Sequence, residues 1–374
     1  MGEELRSVSL CLLDDVNMSD VLKLDEFEIR YYQPAELQTM VLEEGTGNLS
    51  SDVSDRLAAY AMFPWARFER SIPPNKVKTN LDQRLQQLDL SWNHAGTRSW
   101  WPFDDLLRTL NLLKPAGGPV IGRQFYCWLA PLVKPDRRTD RIIYGEPLWD
   151  YDGPENDDIP PLVFAYDLEP SDTERFSQLR KQLAQCLAAG SKPDNSHLRT
   201  AIHYFENGDR KIVPHPLPGS SDAIEPLMSY EAALEALLVP EKKEEGGVEN
   251  KLSTRIAALA KKKVNGITDN KAGEIENFTK RVFWLRSKVA HGARPIEEIE
   301  NLIIHKSNDK ILDNERNKCI PKGGYASLLI QGGPFPGFLV NLRELTRICI
   351  CFFCEEFSAG QYKERTIALL EKTD

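Results

Sequence analysis

Histidine is scarce in this chain, six among 374 residues, and the shortage removes several kinds of chemistry together. His94, His197, His203, His215 and His305 show no HExxH-type spacing and no GxSxG elbow occurs, so zinc-hydrolase and serine-hydrolase sites have no support. Cysteines are also few. Cys349, Cys351 and Cys354 cluster near the end, but the spacing is wrong for a zinc knuckle. No Cys or His pair stands nearby to complete four ligands, so they read as buried thiols. A phosphate loop is missing too: Gly117 to Gly122 is interrupted by Pro119, is followed by no Lys-Ser or Lys-Thr, and reads as a turn. Long apolar runs are absent, and Val8 to Leu13, flanked by Glu3, Glu4, Asp14 and Asp15, is too short for an export segment and reads as a strand. Seven cysteines without a secretory leader point to a reducing cytosol and a cytoplasmic protein. No membrane span, metal or cofactor is expected.

What the chain does have is enough apolar material, 41% of residues, for real cores, and a length that favours two domains. Residues 1–190 alternate between strands and helices. Strands are expected at Val8 to Leu13, Phe27 to Tyr32, Arg141 to Tyr144 and Leu162 to Tyr166, and helices starting at Pro34, Asp104 and Pro170. Ser171 with Glu174 has the form of a capping box, and Phe176, Leu179, Leu183 and Leu187 keep helical spacing until Gly190. Trp92, Trp100 and Trp101 with Arg98 and His94 form the densest aromatic cluster in this half. They read as core, with stacking on a base or ligand ring as the alternative.

From Asn195 the pattern becomes helical. A helix runs through His203 and Phe205, the Pro-rich passage Pro214 to Gly219 follows, and further helices are expected over Asp222 to Val239, Asn250 to Ala260, Glu274 to Val289 and Phe338 to Phe357. Lys261 to Gly273 reads as a polar connection, and residues of about 292–335 as a long polar insertion. The last helix, with Leu339, Leu342, Leu345, Ile348, Phe352 and Phe353, must be enclosed by the bundle or by a second copy of the chain. The fold class is therefore α+β: a mixed α/β domain at 1–190, then an all-α bundle at 195–374.

Net charge is -9, unpromising for a nucleic-acid binder, yet Lys and Arg balance Asp and Glu over residues 221–374, so the acidity lies upstream. Within Lys251 to Lys288 ten basic residues meet three acidic ones. Arg255, Lys280, Arg281 and Lys288 are the candidates for phosphate-backbone contact. Solvation of two helix faces is the competing reading for Lys261, Lys262 and Lys263. In the same region Ile275, Phe278, Val282, Leu285 and Val289 make one buried stripe. Beside it runs Arg286-Ser287-Lys288-Val289-Ala290-His291-Gly292, an arginine and a histidine at the end of a helix. Gly292 fits the position after the C-cap, which puts His291 where the helix dipole favours a protonated imidazole. On an ideal helix Arg286 and His291 splay by roughly 140°, so one chain alone grips a phosphate poorly with the pair.

Together with Tyr230 to Leu238 and Leu252 to Leu259, this stretch resembles the Apea-like branch of the HEPN superfamily, over roughly Asn195 to the C-terminus. The resemblance implies an RNase motif on Arg286, Ser287 and His291, with an acidic residue, Glu231 or Glu235, oriented toward it from the Asp222 to Val239 helix; a solvated helix face is the competing reading for either acid. It also implies a homodimer, because each protomer supplies one arginine and one histidine. The function implied is a metal-independent endoribonuclease that leaves a 2′,3′-cyclic phosphate, in the setting of a toxin or anti-phage abortive-infection effector. Its partners would be RNA, either tRNA or mRNA, and an inhibitory or trigger protein, with residues 1–190 sensing or regulating. The alternative is a non-catalytic HEPN scaffold that binds RNA, a nucleotide or a protein, with Arg286 in a plain ion pair and His291 a helix cap.

Overall fold

The computed structural model describes residues 5–14, 16–37, 61, 63–72, 90–92, 98–100, 103–131, 140–145, 166–192, 195–212, 221–239, 248–292, 296–304, 312–313, 318–319, 328–330 and 336–360. They belong to two compact units, Met1–Asn111 with Val120–Ser177, and Leu112–Pro119 with Gln178–Asp374.

The first unit is built on β1 (Leu5–Asp14), β2 (Val16–Met18), β3 (Leu22–Leu24), β4 (Phe27–Tyr31), β5 (Pro64–Ile72), β6 (Leu90–Trp92), β7 (Arg98–Trp100), β8 (Ile121–Pro131), β9 (Asp140–Gly145) and β10 (Tyr166–Leu168). Six of them form one antiparallel sheet in the order β3-β4-β5-β1-β8-β9. β1 is central because both its faces are apolar: Val8, Leu10, Cys11, Leu12 and Leu13 are all fully buried, which an edge strand with one wet face does not require. β3 and β4 instead alternate buried and more exposed residues. The expected strand at Leu162 to Tyr166 is described only from Tyr166 on, where β10 pairs in parallel with β2. Gly117 and Gly118 form a bend leading into a strand, β8, where a phosphate loop would lead into a helix. Trp92 and Trp100 lie on the paired β6 and β7, whereas His94 and Trp101 are outside the described residues.

Residues 34–37 are helical, as expected for a helix starting at Pro34, and eight further helices are described with their bounds: α1 (Phe103–Leu113), α2 (Asp172–Ala189), α3 (Ser196–Lys211), α4 (Ile224–Leu238), α5 (Val248–Lys263), α6 (Asp269–Ala290), α7 (Ile296–Ile304) and α8 (Gly337–Ser358). The chain is thus α+β, and among the described residues no helix is long and apolar enough to cross a membrane. Three local expectations change. The Ser171–Glu174 capping box is replaced by a tighter turn, in which the Glu169 N–H donates to Asp172 (3.0 Å) and the Ser171 hydroxyl to Glu169 (3.1 Å). The polar connection shrinks to residues 264–268. Lysines are good helix formers and α5 runs on through Lys263, while Thr268 caps α6 by accepting the Lys271 N–H. The insertion opens with α7, which buries Ile299, Glu300 and Ile303.

The second unit is organised around α8, which packs on α3, α4, α5 and α7. From Gly337 to Ile350 every residue is buried, so this chain's own helices enclose the apolar surface without help from a second copy. The polar residues on it find partners inside. Asn341 accepts the Leu329 and Ile330 N–H groups (2.7 and 3.2 Å), and Arg347 donates twice to Glu344 (2.7 and 2.7 Å) and once to the Leu112 carbonyl (2.9 Å). Arg343 forks onto Asp209 (2.8 and 3.1 Å), and the Tyr230 hydroxyl donates to the same carboxylate at 2.7 Å. Such pairing keeps buried charge tolerable.

The contact between α3 and α4 depends on a glycine. A Cβ on Gly208 would stand 2.5 Å from the Tyr230 ring, which is itself fully buried and tied to Asp209. Gly208→Ala is accordingly expected to lose about 1–3 kcal/mol through overpacking, measured as a lower urea midpoint. A change under a few tenths would show that the ring has room to move.

Candidate functional site

α6 positions the candidate residues through its buried stripe. Ile275, Phe278, Val282 and Leu285 are fully buried, while Val289, the fifth expected member, is half-buried as the helix runs out of the core. Arg286 stands one residue past Leu285 and is about one-third exposed. Its Nε lies 3.4 Å from Glu231 Oε2, its Nη2 lies 3.5 Å from Glu235 Oε2, and the Phe283 ring centroid is 6.0 Å from its guanidinium carbon. Glu231 and Glu235 occupy successive turns of α4, so two carboxylates converge on one guanidinium.

The two acids live in different surroundings. Glu235 is part-exposed, but the Glu231 side chain is 1% exposed and neither of its oxygens accepts a hydrogen bond among the described residues. Burial pushes the Glu231 carboxyl up to about 7, with Arg286 opposing the rise and Glu235 adding to it. Arg286 Nε also makes no hydrogen bond, so the guanidinium is held by charge at more than charge-assisted hydrogen-bond length. It can turn toward another anion at small geometric cost.

His291 is the C-cap residue of α6: its backbone N–H bonds to the Ser287 carbonyl at 3.1 Å, and its side chain is exposed. Ser287 is half-buried one turn earlier. Gly292 has φ +59 and donates to the Val289 carbonyl, the left-handed residue that closes a helix C-terminus. Arg286, Glu231 and Glu235 therefore meet, with Ser287 the next residue along α6 and His291 at the helix end.

The proposed RNA-contacting residues divide. Arg255 must be withdrawn. It is 2% exposed and donates to the Leu238 carbonyl, so its guanidinium satisfies the end of α4 instead of facing solvent. Lys280 pairs with Glu276 at 2.5 Å. Arg281 and Lys288 both sit over Trp284, at 4.1 and 5.4 Å from the ring centroid, a cluster implied by the 281–284–288 spacing but not anticipated. The basic surplus is smaller in space than along the chain, because Lys263 meets Glu355 and Arg286 meets Glu231 and Glu235, acids from other helices.

Among the described residues no group of three or more His, Cys, Asp or Glu is placed to hold a metal ion. Cys349 and Cys354 are buried; burial pushes the Cys349 thiol up, and Cys186 together with burial does the same to Cys354. Comparison with protein-family models, with curated proteins and with solved structures finds no match to this chain.

Proposed function

We propose that the helical unit is a HEPN-type endoribonuclease that cuts RNA without a metal and works as a homodimer. The observation that carries this reading is Arg286: one-third exposed, unbonded at Nε, balanced between two carboxylates of α4, and itself on α6, which ends at an exposed His291. The chemistry asks for little. The 2′-hydroxyl oxygen attacks the adjacent phosphorus, a base takes its proton, and an acid protonates the departing 5′-oxygen, leaving a 2′,3′-cyclic phosphate. His291 of one copy serves as base and that of the second copy as acid. Arg286 clamps the non-bridging oxygens through its fork, and the Ser287 hydroxyl positions phosphate or imidazole. Glu231 and Glu235 orient Arg286 until substrate arrives. Arg281 and Lys288, on the same helix as Arg286 and clustered on Trp284, add basic groups along it.

Two motif helices must meet for one cleft to hold both an acid and a base, which is what a two-fold dimer supplies. In the cytoplasm such an activity would serve a toxin or abortive-infection effector, restrained by the first unit or by a partner protein. A second reading, a non-catalytic scaffold, draws on the same ion pairs: Arg286 already has carboxylate partners. Incubation with tRNA and a generic single-stranded RNA in the presence of chelator separates the two. Wild-type protein should leave cyclic-phosphate ends, and Arg286→Ala and His291→Ala should lose about 10²-fold or more in rate. RNA binding without cleavage by a dimeric wild type under conditions that relieve the restraint, or equal cleavage by the variants, rejects the nuclease.

A further inference from the structure

Resting on the reading of Arg286 as a phosphate clamp, we propose that RNA binding at this site is coupled to proton uptake: Arg286 engages a phosphate only as Glu231, left behind in the bundle, becomes protonated.

Glu231 lies deep in the bundle. Its side chain is 1% exposed, and no donor among the described residues bonds to either oxygen. From α6 it faces Arg286 at 3.4 Å, and on its own helix Glu235, a second negative charge. Among the described residues, Arg286 is the cation that opposes the rise of the Glu231 carboxyl, and buried charges on the other helices packed on α4 have partners elsewhere. α3 and α8 bring Asp209 and Arg343 together at Tyr230, and Glu344 of α8 closes on Arg347. α5 brings Arg255, whose donor goes to the Leu238 carbonyl. Arg286 is thus the cation that makes a charged Glu231 tolerable in its buried position.

A bound phosphate competes for that same guanidinium. When Arg286 turns its donors outward, the Glu231 carboxylate keeps its burial and its repulsion from Glu235 but loses its compensating charge. Neutralisation by one proton drawn from solvent is the way out. Glu231, poised near 7 in the free protein, needs little further push to take it. Glu235, at about one-third exposed, keeps its contact with water. The group is a positioning residue with a consequence for regulation: acidification releases the arginine to substrate, and alkalinisation draws it back. Because the free carboxyl titrates near neutrality, affinity should fall as pH rises above about 7, by up to about tenfold per pH unit.

The test is calorimetry with a short single-stranded oligodeoxynucleotide, which lacks the attacking 2′-hydroxyl and cannot be cut. Titrations run from pH 6 to 9 in buffers of different ionisation heat, so that protons taken up on binding are counted directly. All use a His291→Ala background, in which the imidazole contributes no protons. The expected result is net uptake with the affinity slope above. Adding Glu231→Gln should abolish the uptake and hold affinity near its low-pH level across the range, with the fold checked by circular dichroism. If Arg286→Ala abolishes binding but no proton uptake accompanies binding, or uptake persists with Glu231→Gln, the coupling is wrong while the clamp stands. If the oligonucleotide fails to bind, or binds as well to Arg286→Ala, both fall.

Discussion

Arg343→Ala lowers the unfolding free energy of the helical unit by about 3–5 kcal/mol, the largest stability loss expected from a single substitution in this chain. Arg343 is fully buried on α8 and forks onto Asp209, a carboxylate 134 residues earlier that also receives the Tyr230 hydroxyl. Burial already pushes the Asp209 carboxyl above its ordinary range, with Arg343 and Tyr230 pulling it back. Truncating the arginine removes the strongest restraint, leaving a buried acid with the Tyr230 hydroxyl and the charge of Arg210, and takes away the guanidinium that sits 5.3 Å from the Phe205 ring centroid. Cavity formation adds to the penalty. The sign with pH follows. Asp209 in the variant must be protonated to be tolerated, so the folded state binds more protons than the unfolded one and the deficit grows as pH rises. Urea unfolding at two pH values measures both effects. Pairing Arg343→Met with Asp209→Asn, which removes both charges, should recover part of what Arg343→Met alone loses. A single-variant loss below about 1 kcal/mol would mean that the pair is wet or dispensable.

That network also marks the border of what the sequence discloses. α8 is legible from composition alone, since a helix with Leu339, Leu342, Leu345, Ile348, Phe352 and Phe353 must be enclosed. Its polar residues are opaque, because nothing local says that Arg343 belongs to Asp209 or that Asn341 stitches down residues 329 and 330. The same holds at the candidate site. The stripe of α6, its end at His291 and the Glu231–Glu235 pair on α4 follow from periodicity and from a glycine at the right place. That both carboxylates meet Arg286, and that only one of them is deeply buried, depends on how α4 packs on α6, and no spacing encodes it. Arg255 shows the hazard of charge counting: a window of ten basic residues treats it as surface, yet the helix end it caps has drawn it inside. In the first unit, β1 is recognisable as a strand, whereas its central place in the sheet is fixed by partners as distant in sequence as Trp128.

Between pH 4.5 and pH 8 the wild type is expected to lose about 3 kcal/mol more stability than Glu231→Gln. The carboxyl stands near 4.5 in an unfolded chain and at about 7 in the folded one, chiefly through burial. Over that window the folded state holds a proton that the unfolded state has released. The slope of unfolding free energy with pH is therefore negative, at 1.36 kcal/mol per pH unit for a full proton of difference. The stabilising share is complete below the unfolded value, drains away as pH climbs to about 7, and does not return above it. Glutamine fills the same space without titrating, so the variant's curve lacks this component whatever constant offset its buried amide brings. Removing the opposing cation should exaggerate the effect: in Arg286→Ala, Glu231 sits higher still and the decline with pH continues past 7. Parallel wild-type and glutamine curves from chemical denaturation across this range would show that water or a rearranged donor reaches the carboxylate. A fold that keeps beside Arg286 a buried acid with no hydrogen bond among the described residues loses stability toward neutral pH that it would keep with glutamine there, and under the proposed coupling that acid is the partner a proton would neutralise.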